Sequence, residues 1–338
     1  MPATDAAIVA LPKVELHLHL EGSLRAPTMF RLAERHGVDL GADSAEELTS
    51  QYQFGDFDSF LSLFLQGLEV LRSGEDFTTA TVALAGELAA ENVRYAEVTT
   101  TPFNHHRRGL AMADYVAGLN EGRRLAREEH GVELGWICDI PRELEPPDAH
   151  FTVDLITGPG APEGIVALGI GGPEVGFPAE SFEASFARAK AAGLGSVPHA
   201  GETVGPESVW AAIGSLHADR IGHGVRSVED PDLVDVLVER AIPLEVSMTS
   251  NVLLGVAPSI EEHQIRPLLD AGVTVTLNTD DPAYFNTDLN RELQLAHDVH
   301  GVTLEQLVQM QEAAIKASFA PDEVREDVLA ELAASSTQ

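Results

Sequence analysis

Four histidines and three carboxylates of this chain stand where short apolar runs give way to turns. The first run reads Glu15-Leu-His17-Leu-His19-Leu-Glu21. Alternate residues of a strand share a face, so His17 and His19 point one way and Leu16, Leu18 and Leu20 the other. Two imidazoles at one strand end can bind a single metal ion; a hydrogen-bonded pair without metal is an equally simple reading of His-x-His alone. Ser196-Val-Pro-His199-Ala-Gly201-Glu202 puts a histidine at a strand end and a carboxylate in the turn beyond it. Arg220-Ile-Gly222-His223-Gly224 ends the next strand on a glycine-flanked histidine, and Thr276-Leu-Asn278-Thr279-Asp280-Asp281-Pro282 ends another on adjacent carboxylates before a proline. Each segment alone also reads as a satisfied histidine, a turn or a helix N-cap. Together they gather at the C-terminal ends of four strands, where barrel active sites assemble.

Such a gathering needs elements that bring distant segments together. Apolar runs predict strands at Val14–Leu20, Val93–Thr99, Glu133–Asp139, Gly164–Ile170, Gly195–His199, Arg220–His223, Ile242–Ser247 and Val273–Asn278. Apolar residues at helical spacing predict helices at Pro27–His36, Thr78–Glu91, Ala113–Glu129, Ser181–Ala192, Glu207–Leu216, Pro231–Arg240 and Glu261–Ala271. Eight strands alternating with helices imply a parallel sheet of the α/β class. That count in one chain of 338 residues points to a single (β/α)8 TIM-type barrel, residues 1–338, rather than an open doubly wound sheet. Extra helices are expected after the first strand and at the C-terminus (Leu304–Ala317 and Asp322–Ala334). The run Phe54–Leu71, with Phe57, Phe60, Leu61, Phe64 and Leu68 at helical spacing, follows the first strand and so belongs to the catalytic face. It reads either as a helix packed on the barrel's flank or as a lid over an apolar substrate. The remaining histidines, His36, His105, His106, His130, His150, His217, His263, His297 and His300, read as ordinary exposed residues.

Composition excludes several functions. Asp and Glu number 54 against 21 Lys and Arg, a formal charge of −33, which disfavours nucleic acid and anionic membranes as partners. No stretch approaches 18 apolar residues, so no membrane-spanning helix is expected, and MPATDAAIVALPK lacks the basic start of a secretory signal. The single cysteine, Cys138, forbids an intrachain disulfide and any zinc site built on cysteine pairs, and suits a reducing cytoplasm.

The motifs HLHLEG (His17–Gly22), HAGE (His199–Glu202), IGHG (Ile221–Gly224), TSN (Thr249–Asn251) and NTDDP (Asn278–Pro282), in this order and spacing over residues 11–320, resemble the adenosine deaminase branch of the metal-dependent amidohydrolases. The resemblance implies a (β/α)8 barrel with one Zn²⁺ held by His17, His19, His199 and Asp280. It implies Glu202, His223 and Asp281 as catalytic groups, with His19, Glu21 and Gly172 on the substrate side; the backbone of Gly172, in IGGPE, would meet a purine. The implied reaction is hydrolytic deamination of a 6-aminopurine nucleoside, adenosine or deoxyadenosine first, with 6-aminodeoxyfutalosine or adenine as alternatives. The residue types suit it. Zinc lowers the pKa of bound water to about 7, Asp281 can take up that water's proton, His223 can orient it, and a protonated Glu202 can donate to the purine N1. Cytidine-type zinc deaminases need Pro-Cys-x-x-Cys, impossible with one cysteine. Residues 164–174 hold no lysine to bridge two metals.

The chain departs from the family pattern in three places. Glu21 stands where many nucleoside-acting members have Asp, which meets the ribose 5′-hydroxyl. Members acting on free adenine often carry Glu there, but differ in the IGHG and NTDDP segments, where Gly222 and Thr279 lean towards a nucleoside. Ser247-Met248 replaces the usual Cys-Pro before TSN, and IGGPE replaces AGDE. A deaminase of 6-aminodeoxyfutalosine, a nucleoside with a large 5′ substituent, fits these motifs as well as a deaminase of adenosine does.

Overall fold

The computed structural model describes residues 3–144 and 148–335. Eight strands follow one another in chain order, β1 Lys13–His19, β2 Val93–Thr100, β3 Glu133–Pro141, β4 Ile165–Gly171, β5 Gly195–Ala200, β6 Ile221–His223, β7 Leu244–Val246 and β8 Val275–Leu277. Every neighbouring pair from β1 to β8 is parallel. The ring closes through a bridge between Leu18 and Asp280. His19 N–H donates to the Asp280 carbonyl (2.8 Å) and Asp280 N–H to the His17 carbonyl (3.1 Å). The expected α/β barrel is therefore present, and the seam that closes it runs through residues expected to bind metal.

All eight predicted strands form, but the last three are shorter than their apolar runs. His223 and Asp280 adopt φ of +61° and +66°, the left-handed region that side chains other than glycine rarely occupy. Both residues still pair, His223 with Ala200 and Asp280 with Leu18, at the mouth of the barrel. The helix predicted over Glu261–Ala271 spans only Ile265–Asp270. The tail helices occupy Leu304–Ala317 and Asp322–Ser335. The opening segment forms a helix at Ala3–Ala10; Met1 and Pro2 lie outside the described residues. Among the described residues no helix is long and apolar enough to cross a membrane.

The helix Phe57–Gly67 begins where Asp56 accepts a hydrogen bond from Ser59 N–H (2.9 Å), an N-cap. Its aromatic stripe docks on the residues just after Asp281. The Phe60 ring lies 5.1 Å from that of Phe285, and Phe64 6.0 Å from Tyr284.

The barrel interior is not wholly apolar. Arg220, fully buried, pairs with Glu97 of β2 and with Glu245 of β7 (2.5 Å), donates to the Ala317 carbonyl (2.9 Å), and stacks on Phe319 (4.6 Å). One guanidinium thus ties β2, β6, β7 and the tail together. Removing one partner of a buried ion network leaves uncompensated charge. Arg220→Met is expected to lower unfolding stability by about 3–5 kcal/mol; denaturant titration by circular dichroism checks this, and an unchanged midpoint would contradict the role given to Arg220.

Candidate active site

Strand alternation brings His17 and His19 to the same side of β1, and β5, β6 and β8 deliver His199, His223 and Asp280 beside them. Ligand-capable atoms of His17, His199, His223 and Asp280 lie within 4.8 Å of one another, as do those of His19, Asp280 and Asp281. Asp280 Oδ1 stands 3.4 Å from His17 Nε2 and 3.3 Å from His19 Nε2, and His19 Nε2 is 3.3 Å from His199 Nε2. A tetrahedral ion with bonds of about 2.0–2.1 Å requires ligand atoms about 3.3–3.4 Å apart. These spacings around Asp280 and the imidazoles beside it suit one small divalent cation.

The tautomer of His17 supports that fit. In the neutral ring Nδ1–H donates to Glu245 Oε2 (2.9 Å), which leaves the Nε2 lone pair for a cation, and Nε2 is buried without a hydrogen-bond partner. Burial alone would raise the Glu245 carboxyl, but Arg220 and His17 outweigh it and hold the group below the usual range. Asp280 is anchored by Ser250, whose hydroxyl donates to Oδ2 (2.7 Å). Burial disfavours a charged His17 or His19. The surrounding carboxylates still push them up to about 10 and about 9, a cluster that attracts positive charge. Gly222 is required here, since a Cβ would stand 2.7 Å from His17 Cε1.

Glu202 and Asp281 share the opposite electrostatic fate. Burial, reinforced by Asp280, raises both carboxyls well above their ordinary range, and each keeps one buried oxygen without a partner, Glu202 Oε1 and Asp281 Oδ1. His223 Nε2 faces this space, 3.8 Å from Glu202 Oε1 and 3.9 Å from Asp280 Oδ2. The turn carrying Glu202 is held by Glu174, the last residue of IGGPE. Its carboxylate accepts from Gly201 N–H (2.9 Å), Glu202 N–H (3.0 Å), Thr203 N–H (2.6 Å), Val204 N–H (2.9 Å) and the Ser208 hydroxyl (2.6 Å).

A cleft opens above the cluster. His19, His199, Glu202, His223, Asp280, Asp281 and Gly172 line it, with Thr101, Asn104, Asp139 and Glu143 as further polar groups and Phe57, Phe60, Leu61, Phe64 and Leu65 as an apolar wall. Of the two readings of the run Phe54–Leu71, the structure places its helix over the cleft. Gly172 has φ of +93°, so its backbone approaches the cleft in a conformation natural only to glycine.

Glu21 does not line the cleft. It is buried, and Oε1 accepts from Thr100 Oγ1 (2.7 Å), Thr101 N–H (3.2 Å) and His105 Nε2 (2.9 Å). His105, His263 and His300 are buried, contrary to the expectation of exposed histidines. His105 is taken up by the buried Glu21, and His263 bonds to Asn251 behind the site. Sequence reasoning also passed over Glu245, Ser250 and Asp139. A signal existed for Glu245, because a lone carboxylate inside the run Ile-Pro-Leu-Glu-Val must find a buried partner.

An eight-stranded parallel barrel whose strand ends gather histidines and carboxylates around a cleft defines a barrel hydrolase of the metal-dependent kind. The family model described as adenosine deaminase matches residues 12–335, and the chain belongs to that family. It is accordingly a deaminase, a hydrolase of C–N bonds in amidines, acting on a small molecule. It is 42% identical over 313 residues to an aminodeoxyfutalosine deaminase of Streptomyces avermitilis, covering 92% of this chain and 87% of that one. The structure is similar to that of an adenine deaminase from Arthrobacter aurescens, with a TM-score of 0.93, 34% identity, and 97% and 100% of the two chains covered. It is also similar to a Zn-bound amidohydrolase from Burkholderia ambifaria, with a TM-score of 0.91, 29% identity, and 100% and 94% covered.

Because Glu245 fixes the free lone pair of His17, its loss should weaken the cation site without dismantling it. Glu245→Gln is expected to lower affinity for a divalent cation by about 10–100-fold, measured by competition with a chromophoric chelator. Unchanged affinity would contradict the positioning role.

Proposed function

We propose that the chain deaminates a 6-aminopurine nucleoside bearing a large 5′ substituent, of the aminodeoxyfutalosine type, with one zinc ion held by His17, His19, His199 and Asp280. The substrate reading is carried by what lines the cleft besides the reaction centre. Asp139 Oδ1 and Asn104 Oδ1 are buried acceptors without partners, suited to the hydroxyl donors of a sugar. Opposite chemistry comes from the Phe57, Phe60, Leu61, Phe64 and Leu65 wall, suited to an apolar substituent. A free base would use neither the acceptors nor the wall. Relatedness to the Streptomyces enzyme supports the same choice over adenosine, and likeness to the Arthrobacter enzyme keeps adenine as the rival.

When bound, zinc supplies the acidity that lets water attack at neutral pH. The chain's own residues do the rest. Gly172 offers its backbone to the purine edge. Glu202, kept protonated by burial, donates to N1, which makes C6 electrophilic. Asp281, whose carboxyl a cation bound beside it would bring back to its ionised form, accepts at Oδ1 the proton released as water adds to C6, and His223 Nε2 orients the attacking oxygen. Asp281 then passes its proton to the departing amine while the C6 hydroxyl returns a proton to Glu202; the C6–N bond breaks, ammonia leaves, and the 6-oxopurine remains. Glu21, already committed to Thr100, Thr101 and His105, acts as a positioning residue behind β1. The single cysteine, buried in β3, is consistent with the cytoplasm, where we place the enzyme.

Relative kcat/KM for aminodeoxyfutalosine, adenosine, deoxyadenosine and adenine, read by the ultraviolet change on deamination, tests the substrate. Aminodeoxyfutalosine is expected to lead, and adenine leading would overturn the choice. Chelation should abolish turnover and Zn²⁺ restore it. Glu202→Gln should keep the metal and lose about 10²–10⁴-fold in kcat. Because the raised Glu202 carboxyl must hold its proton, kcat should fall as pH rises through that group's pKa; a rate rising steadily into alkali would remove Glu202 as the acid.

A further inference from the structure

A row of hydrogen bonds behind His223 begins at a group whose polarity is beyond doubt. Ile265 N–H is a backbone donor, and it points at His263 Nδ1 (3.1 Å). His263 Nδ1 must therefore accept, and a neutral imidazole that accepts at Nδ1 carries its proton on Nε2. That Nε2–H faces Asn251 at 3.1 Å, so the amide atom there is the oxygen, Oδ1. The amide nitrogen then lies on the other side, where Nδ2–H donates to His223 Nδ1 (3.2 Å). With Nδ1 occupied as an acceptor, neutral His223 carries its proton on Nε2, the atom that faces Glu202 and Asp280 across the reaction space.

We propose that His263 and Asn251 are positioning residues which relay the polarity of the Ile265 amide to His223, fixing its Nε2–H tautomer so that it can only donate to the attacking oxygen. The relay rests on the role given to His223 above, but its geometry stands without it. All three side chains are buried, so no solvent competes for these hydrogen bonds. The Asn251 backbone is pinned, its carbonyl accepting from Val256 N–H (2.8 Å) and Ala257 N–H (2.9 Å), which fixes where the amide can point. Burial, together with His300 and His223, holds His263 down at about 3, in keeping with a neutral ring. The wrong tautomer would turn a lone pair towards the electron-rich oxygen that adds to C6 and towards the Asp280 carboxylate, and both contacts would repel.

Asn251→Asp tests this with an isostere. A carboxylate can still accept from His263, but it also accepts from His223, which must then carry a proton on Nδ1. Selective ¹⁵N-histidine labelling, with the His223 resonances assigned by their loss in His223→Gln, reads the tautomer directly in metal-loaded and metal-free protein. The native chain is expected to show a protonated Nε2 and a bare Nδ1, and Asn251→Asp a protonated Nδ1. In the same variant kcat should fall by about 10²-fold or more, with KM and metal content within a few-fold of native. His263→Gln, which can accept from Ile265 and donate to Asn251, should recover most of the turnover that His263→Leu loses. A protonated Nδ1 on native His223, or native kcat in Asn251→Asp, would overturn the relay. If Glu202→Gln retained full turnover, the catalytic reading would fail while the measured tautomer still judged the relay, so the two are distinguishable.

Discussion

The barrel closes on itself through two hydrogen bonds, His19 N–H to the Asp280 carbonyl and Asp280 N–H to the His17 carbonyl. The Asp280 carboxylate approaches the imidazoles of the other two, at 3.4 Å from His17 and 3.3 Å from His19. Closure of the sheet and assembly of the cation site are thus one geometric event. Residues 17 and 280 are far apart in sequence, and nothing local could hold an imidazole and a carboxylate at that spacing. The sheet does so by fixing their backbones first and leaving the side chains little freedom.

Around this seam the interior is divided by charge. On one side, Arg220 neutralises Glu97 and Glu245, and Glu245 in turn sets the tautomer of His17. On the other, Glu202 has, among the described residues, no cationic side chain in hydrogen-bond contact, and burial makes it reluctant to ionise. Both arrangements place carboxylates in low dielectric, yet one produces a permanent charge and the other a carboxyl that keeps its proton. A deaminase needs both kinds, one to hold a cation and one to deliver a proton. The aromatic helix Phe57–Gly67 adds a third constraint. It packs on Tyr284 and Phe285, directly after Asp281, so the apolar wall of the cleft and the strand end that carries the carboxylates share one cluster.

Much of this was legible in the sequence. Most of the strands declared themselves as Val/Ile/Leu runs, because buried parallel strands are largely apolar on both faces, while β1 showed as an alternation of Leu with His and Glu. The residues at the strand ends stood out because histidine and aspartate interrupt those runs next to glycine or proline. What lay hidden were residues whose importance is purely relational. His263 sits in a polar stretch with nothing to mark it as buried, and His105 precedes another histidine in a short helix. The family resemblance put Glu21 on the substrate side. The chain instead turns at Glu21–Ser23 and delivers its carboxylate to Thr100 and His105. Strand ends overran for a similar reason. The apolar runs begin before the ladders do, at Ile242 and Val273 against Leu244 and Val275, and no periodicity encodes where pairing starts.

The central claim is that four side chains share one divalent ion at the seam. Anomalous diffraction at the zinc edge, on crystals of the zinc-loaded protein, tests it most directly. The account predicts a single peak enclosed by His17 Nε2, His19 Nε2, His199 Nε2 and an Asp280 carboxylate oxygen. Two peaks in the cleft, or one held by a different set of side chains, would contradict it.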